Sequence, residues 1–379
     1  MRMRKLKMAA ALLSACILMT GCGNVQEGPL TAPGIASESS DLQQNNGSSS
    51  VTDVPSSEPE ETVVTTEPEP DPTTLEHNPL TGEYGFNPDA VGKRPVAVMI
   101  NNIEDSLPQY GIASADYMYE MVVEGGITRL MAVFADYTDI PTLCSIRSCR
   151  YYYPIIAYGL DAVYCHWGQD MSIAKETLER LQIDTLNGEY DYPSPFDNDE
   201  TRLEYYDREH TGILIGSEVP DAIAQKGYRT EIRDDHKKDF LNFAEGTQVI
   251  TPEGKPCKDF SIDFSTSYIS RFTYDEESKT YLKQHNGDPH MDAAVDKQLA
   301  YTNVFVFETE VGLREDEYHM DVALESGHGY YISNGAVQEI NWKKTAEDQL
   351  MEMTDMAGNP LTVNRGKCYF GFTDGVTFE

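Results

Sequence analysis

Two kinds of apolar pattern divide the folded part of this chain, and each fits only one kind of sheet. Before about residue 250, apolar residues come in unbroken runs: "RPVAVMI" (94–100), "TRLMAVFAD" (128–136), "DAVYCHW" (161–167) and "TGILIG" (211–216). Short runs of this kind, rich in β-branched residues and without polar alternation, read as strands covered on both faces. "SCRYYYPIIAYG" (148–159) reads as a helix with Ser148 as N-cap and Gly159 just past its end, although Pro154 sits beyond the first turn. "SIAKETLERLQ" and "SEVPDAIAQKG" read as helices capped by Ser172 and Ser217, the second ending at Gly227. "ADYMYEMVVE" (115–124) suits helix or strand, until Gly125 and Gly126 break it. Strands alternating with helices predict an α/β domain with a substantially parallel sheet over residues 77–245.

After residue 250 the pattern changes to period two. "SYISRFTYD", "KTYLKQH", "NVFVFETEV" and "AVQEINW" alternate, with turn residues between them. "SNGA" (333–336) is the clearest hairpin, because Asn-Gly suits a type I′ turn. This predicts a mostly antiparallel β domain over residues 246–379, a sandwich or partly open barrel. The fold class expected for the whole chain is α+β.

The first 76 residues follow neither pattern. Arg2, Arg4, Lys5 and Lys7 precede the apolar "MAAALLSACILM", which is too short to span a bilayer and ends in "MTGC". Residues 1–22 therefore resemble a lipoprotein export signal, with Cys22 as the lipidated residue. Two or more acyl chains, at about 0.8 kcal/mol per buried methylene, hold a domain stably at a membrane. Residues 23–76 are rich in Ser, Thr, Glu and Pro and contain no Lys or Arg, so they read as a disordered acidic tether. The expected location is the outer face of the bacterial cytoplasmic membrane. A formal net charge of −34 argues against nucleic acid as a partner. Of seven cysteines, Cys16 leaves with the signal and Cys22 carries lipid. Cys144, Cys149, Cys165, Cys257 and Cys368 remain, an odd number without a C-x-x-C pair, which speaks against a disulfide framework or a zinc site.

"NPLTGE", "RPVAVMINN", "ADYMYEMVVEGGITRLMAVF", "IRSCR" and "DAVYCHWG" occur in the order seen in YerB-like lipoproteins. "SIDFSTSYISRFTYDEESKTYLKQHNGDPHMD" and "NVFVFET" continue the likeness, so the chain resembles that family over residues 77–379. The resemblance implies a two-domain, lipid-anchored protein of unknown function. In the family's pattern Ala usually stands at the position of Cys149, which counts against Cys149 as a nucleophile.

Arg147 and Arg150 are the residues most suggestive of a site. Two guanidiniums beside a helix start capped by Ser148, with His166 near a strand's carboxyl end, would form an anion pocket. Glu124 is a further candidate there, and Glu120 carries the same choice between acid/base chemistry and pairing with an arginine. "HNGDPHMD" supplies His285, His290 and Asp292 as weak metal candidates within a turn-forming loop. Three functional readings follow. The first is a module that binds an anionic envelope ligand or an envelope protein through the Arg/His pocket. The second is an envelope hydrolase using His166 as general base, with Arg147 and Arg150 holding an anionic substrate. The third is a protein-interaction scaffold. No cofactor is expected.

Overall fold

The computed structural model describes residues 71–192 and 194–379. The expected signal, Cys22 and nearly all of the tether lie outside the described residues. Among the described residues no helix is long and apolar enough to cross a membrane.

The unbroken apolar runs form the centre of the molecule. Strands β1 (Val96–Asn101), β2 (Tyr117–Val122), β3 (Thr128–Phe134), β4 (Val163–His166) and β5 (Thr185–Asn187) lie in one sheet. Every residue of β1 to β4 is buried, as strands covered on both faces must be. The ambiguous 115–124 segment is therefore a strand. Helices α1 (Tyr152–Gly159), α2 (Ile173–Leu181) and α3 (Val219–Lys226) pack around this part.

The second half divides between two sheets. Strands β6 (Asp259–Asp263), β7 (Ile269–Asp275) and β8 (Thr280–His285) form an antiparallel sheet completed by a late strand. Strands β9 (Asn303–Glu308), β10 (Ser326–Ser333), β11 (Ala336–Lys344) and β12 (Cys368–Thr373) instead extend the first sheet, and β13 (Val376–Phe378) returns to β6. The large sheet has eleven strands, and its central order runs β11-β10-β9-β12-β2-β3-β1-β4-β5. It is mixed: β1–β4, β4–β5, β2–β12 and β9–β12 are parallel, while β1–β3 and β2–β3 are antiparallel. The substantially parallel sheet expected for the first half is thus parallel on one side only, because the β2–β3 connection is a tight hairpin through Gly125 and Gly126. The six-stranded sheet packs on one face of the large one. The rings of Phe272 and Tyr369 meet at 4.9 Å, and a Cβ at Gly371 would sit 3.0 Å from Ile262.

Helix starts differ from the sequence expectation. Helix α1 begins at Tyr152, not at Ser148, and Gly159 is its last residue. The reason is non-local: the Cys149 amide donates to Gly168 O at 2.9 Å, and the Trp167 amide to Arg147 O at 3.1 Å, which holds residues 147–149 extended. Pro154 then falls in the first turn, where a missing N–H costs nothing. Ser172 does not cap α2 through its side chain; the Asp170 carboxylate accepts from the Ala174 amide instead. Ser217 lies in a single 3₁₀ turn ahead of α3, whereas Gly227 ends that helix at φ 68° as expected.

The β10–β11 hairpin turns at Asn334 (φ 45°) and Gly335 (φ 74°), the geometry expected of "SNGA". A Cβ at Gly335 would also sit 3.2 Å from the Tyr274 ring. Gly335→Ala is therefore expected to lower stability by about 1–2 kcal/mol in urea denaturation, and Asn334→Gly by about 1 kcal/mol, since it removes the hydrogen bonds of Asn334 with Tyr274 and Thr251.

Candidate functional site

The carboxyl ends of the three mutually parallel strands β1, β4 and β5 open onto a polar cleft of about 570 Å³. Arg147 and Ser148 line it, with Trp167 and Gln169 following β4, Glu189 following β5, and Arg208 and Glu209 opposite. This is the position at which open α/β sheets collect ligands.

The structure separates the residues that the sequence placed together. Arg147 Nη2 pairs with Glu209 Oε2 at 2.8 Å at the half-exposed mouth of the cleft. Arg150 does not line the cleft; its Nε pairs with Glu124 Oε2 at 2.5 Å, with both side chains largely buried. Spacing is the cause: residues three apart share a face in a helix but point to opposite sides of an extended segment. Behind them, Arg129 donates to Ser148 O at 2.7 Å. Burial, with Arg150 and Arg147 close by, pulls the Arg129 guanidinium down to about 10. The backbone donors expected around Ser148 are partly spent, since the Arg147 and Cys149 amides bond Met99 O and Gly168 O. Ser148 is therefore not an N-cap, and α1 does not begin at the cleft-lining residues 147 and 148.

His166 is buried and absent from the cleft lining. Its Nδ1–H donates to Gly168 O at 2.8 Å, which leaves Nε2 as an unpartnered lone pair. Burial pushes its pKa down to about 4, so the ring is neutral at pH 7. Strand alternation turns His166 inward, beside Tyr164, and turns Trp167 toward the cleft. There the indole is wedged against Gly188 and Gly212, where a Cβ would approach it to 2.8 and 2.9 Å. Cys149 is also fully buried, and burial pushes its thiol up to about 12, the opposite of an activated nucleophile. The five cysteines of the described residues are all buried free thiols.

His285, His290 and Asp292 do not converge on one point. Asp292 accepts from the Gly111 and Ala113 amides at 3.0 and 2.7 Å, fastening the loop before β2. Among the described residues no group of three His, Cys, Asp or Glu side chains is disposed to hold a metal.

The most unusual polar feature was not read from the sequence. Glu120 on β2 and Lys283 on β8 are both buried, with Nζ 3.3 Å from Oε2. Tyr369, Ser270 and Thr128 hydroxyls donate to the Glu120 carboxylate at 2.6, 3.0 and 2.8 Å. Lys283 Nζ also donates to His290 Nδ1 at 3.0 Å. That fixes His290 with its proton on Nε2, which donates to Gln109 Oε1 at 2.9 Å. Gln109 donates to Asn102 at 3.1 Å, and Asn102 to Glu120 at 3.2 Å, closing a ring of hydrogen bonds. Burial pushes the Glu120 carboxyl up, but Lys283 and the surrounding donors outweigh it and hold it below its ordinary value. Burial pulls the Lys283 ammonium down against the pull of Glu120. The signals available in sequence were an acid inside the apolar run "YMYEMVV", and Lys283 sharing strand parity with Tyr281.

These features define a two-part, sheet-rich α+β module whose halves share one sheet. Family models match the same two parts: residues 80–229 fit the N-terminal domain, and residues 260–370 the C-terminal domain, of a protein of unknown function (DUF3048). The chain belongs to this family of YerB-like proteins. It is 28% identical over 283 residues to a Bacillus subtilis (strain 168) protein described as "Putative lipoprotein YerB", covering 70% of this chain and 77% of the relative. The crystal structure of YerB protein from Bacillus subtilis superposes with a TM-score of 0.69 at 24% identity, covering 80% of this chain and 99% of that one. That likeness establishes the fold.

Two outcomes follow from this chemistry. Lys283→Met or Glu120→Gln alone is expected to cost about 3–5 kcal/mol by denaturation, and the double Glu120→Leu/Lys283→Met variant recovers only part of the loss, because the Tyr369, Ser270 and Thr128 hydroxyls lose their acceptor. His166 and His285, the latter also pushed down to about 4 by burial and by Lys283, stay neutral in the native state below pH 6.5, where the unfolded chain binds protons. Stability should therefore fall as pH drops from about 6.5 to about 4, by on the order of 2–3 kcal/mol per imidazole, with the slope reduced in His285→Asn.

Proposed function

We propose that this chain is a lipid-anchored, extracytoplasmic binding module that takes an anionic envelope ligand in the Arg147 cleft. The anchoring part rests on the "MTGC" signal with Cys22 and on similarity to a relative described as a lipoprotein. Its place would be the outer face of the cytoplasmic membrane, with the acidic tether supplying reach.

The observation that carries the binding part is a pair of guanidiniums, Arg147 and Arg208, on one cleft that also carries Glu189 and Glu209. Arg147 and Arg208 both line a roomy polar cleft beyond the carboxyl ends of three parallel strands. Arg147 has a single exposed carboxylate partner, and among the described residues Arg208 has none within ion-pair distance. An incoming phosphate, carboxylate or acidic sugar can displace Glu209 at little cost, because an exposed pair contributes at most about 1 kcal/mol. Ser148 and Gln169 add neutral hydrogen-bonding groups beside the guanidiniums. Arg150, Glu124 and His166 are assigned to the support of this cleft. Their buried positions favour a binder over a hydrolase that relies on His166 as general base.

The test is a thermal-shift titration of the full-length protein in detergent with inorganic phosphate and with glucuronate. The wild type should show a saturable rise in Tm, and the Arg147→Ala/Arg208→Ala variant should lose it while keeping its own Tm within a few degrees. Arg150→Ala should instead cost about 3 kcal/mol of stability, because it leaves Glu124 unpaired in a buried setting. Ligand response retained in the double variant would exclude the cleft.

A further inference from the structure

A second cavity, of about 440 Å³, lies between the 104–108 segment of the first half and the 285–291 loop of the second. Leu107, Pro108, Pro289 and Met291 give it apolar walls. Glu104 and Asp288 are the charged residues on it, and both are exposed. His285 and His290, both buried, complete the lining.

The two imidazoles are not equivalent. His290 uses both ring nitrogens, one with Lys283 and one with Gln109. His285 is 4% exposed, and among the described residues neither of its ring nitrogens has a partner. A neutral imidazole left with a bare lone pair in a buried setting is a strong incentive for a donor to enter. The charges that face His285 are one positive group, Lys283, and three negative ones, Glu120, Glu104 and Asp288. Lys283 is already committed to Glu120 and His290, so the surplus is negative and lies toward the cavity mouth. Among the described residues no Lys or Arg side chain lines the walls. Aliphatic walls suit an organic cation better than a metal ion, in keeping with the lack of a three-ligand group among the described residues.

We propose that this cavity binds a primary alkylammonium group, which donates an N–H to the His285 imidazole and places its charge toward Glu104 and Asp288. The alkyl stem lies against Leu107, Pro108, Pro289 and Met291. Such a group is carried by a free amine or by a lysine-type side chain in a peptide, and the site is independent of the Arg147 cleft.

The test uses full-length protein in detergent, labelled with ¹⁵N-histidine, with the His285 ring signals assigned through His285→Gln. It is titrated with n-butylammonium, with Nα-acetyl-lysine amide, and with n-butanol as the neutral isostere. A saturable shift of the His285 signals with n-butylammonium, and none with butanol, is expected. Response to the lysine amide as well identifies a peptide-borne group, and response to n-butylammonium alone identifies a free amine. The Glu104→Gln/Asp288→Asn variant should bind about two- to fivefold more weakly, as loss of exposed charge partners implies. Both side chains are exposed, and the Glu104→Gln change keeps a side-chain oxygen for the Asn286 amide, which Glu104 accepts at 2.6 Å, so folding is preserved. No saturable response to either ammonium probe up to about 10 mM, an equal response to butanol, or unchanged affinity in the double variant would overturn the proposal.

Discussion

The structure depends on one buried ion pair. Glu120 comes from the first half and Lys283 from the second, and both charges are buried away from the surface. Taking two such ions out of water costs several kcal/mol each, which only mutual attraction and a full set of hydrogen bonds can offset. Both halves supply that set. Asn102, Gln109 and Thr128 belong to the first half, and Ser270, His290 and Tyr369 to the second. Moving one half against the other would strand a charge, so the pair fixes their relative placement more sharply than apolar contact does. The chain connectivity works toward the same end. Strand β12, close to the end of the chain, lies beside β2 in the large sheet, and its Tyr369 donates to Glu120.

What could be read from the sequence was what local pattern decides. Unbroken apolar runs became strands covered on both faces, and "SNGA" became a turn with positive φ at both central residues. The period-two segments became strands, most of them antiparallel to their neighbours, although β9 also pairs parallel with β12 in the mixed sheet. What could not be read was decided by distant partners. "SCR" has helical spacing and a plausible cap, yet pairing with residues 167–169 holds it extended. In "KTYLKQH", one parity carries Tyr281, Lys283 and His285, and the other carries Leu282 and Gln284. Nothing local says that the face with a lysine and a histidine is the buried one. It is buried because Glu120 waits on the neighbouring sheet, and Glu120 looked like an arginine partner or a surface acid.

The candidate site was legible in part for the same reason. Of the two arginines in residues 147–150, Arg147 alone lines the cleft beyond the parallel strands. Helical spacing would have sent both guanidiniums to one pocket; extended backbone sends Arg147 to the cleft and Arg150 to Glu124 in the interior. One arginine thereby lines the cleft, paired with Glu209, while the other staples the loop after β2 to the start of α1. His166 changes role likewise, since the residue that strand parity turns to the cleft is Trp167.

The central claim is that the Glu120–Lys283 pair makes the two halves one cooperative unit. Native-state hydrogen exchange on the full-length protein, followed as a function of urea, tests it most directly. If the pair couples the halves, the slowest amides of β2 and β8 will exchange with the same free energy and the same urea dependence, through global unfolding. If β6 to β8 open at distinctly lower free energy while β1 to β4 stay protected, the ion pair does not couple the halves and the claim is wrong.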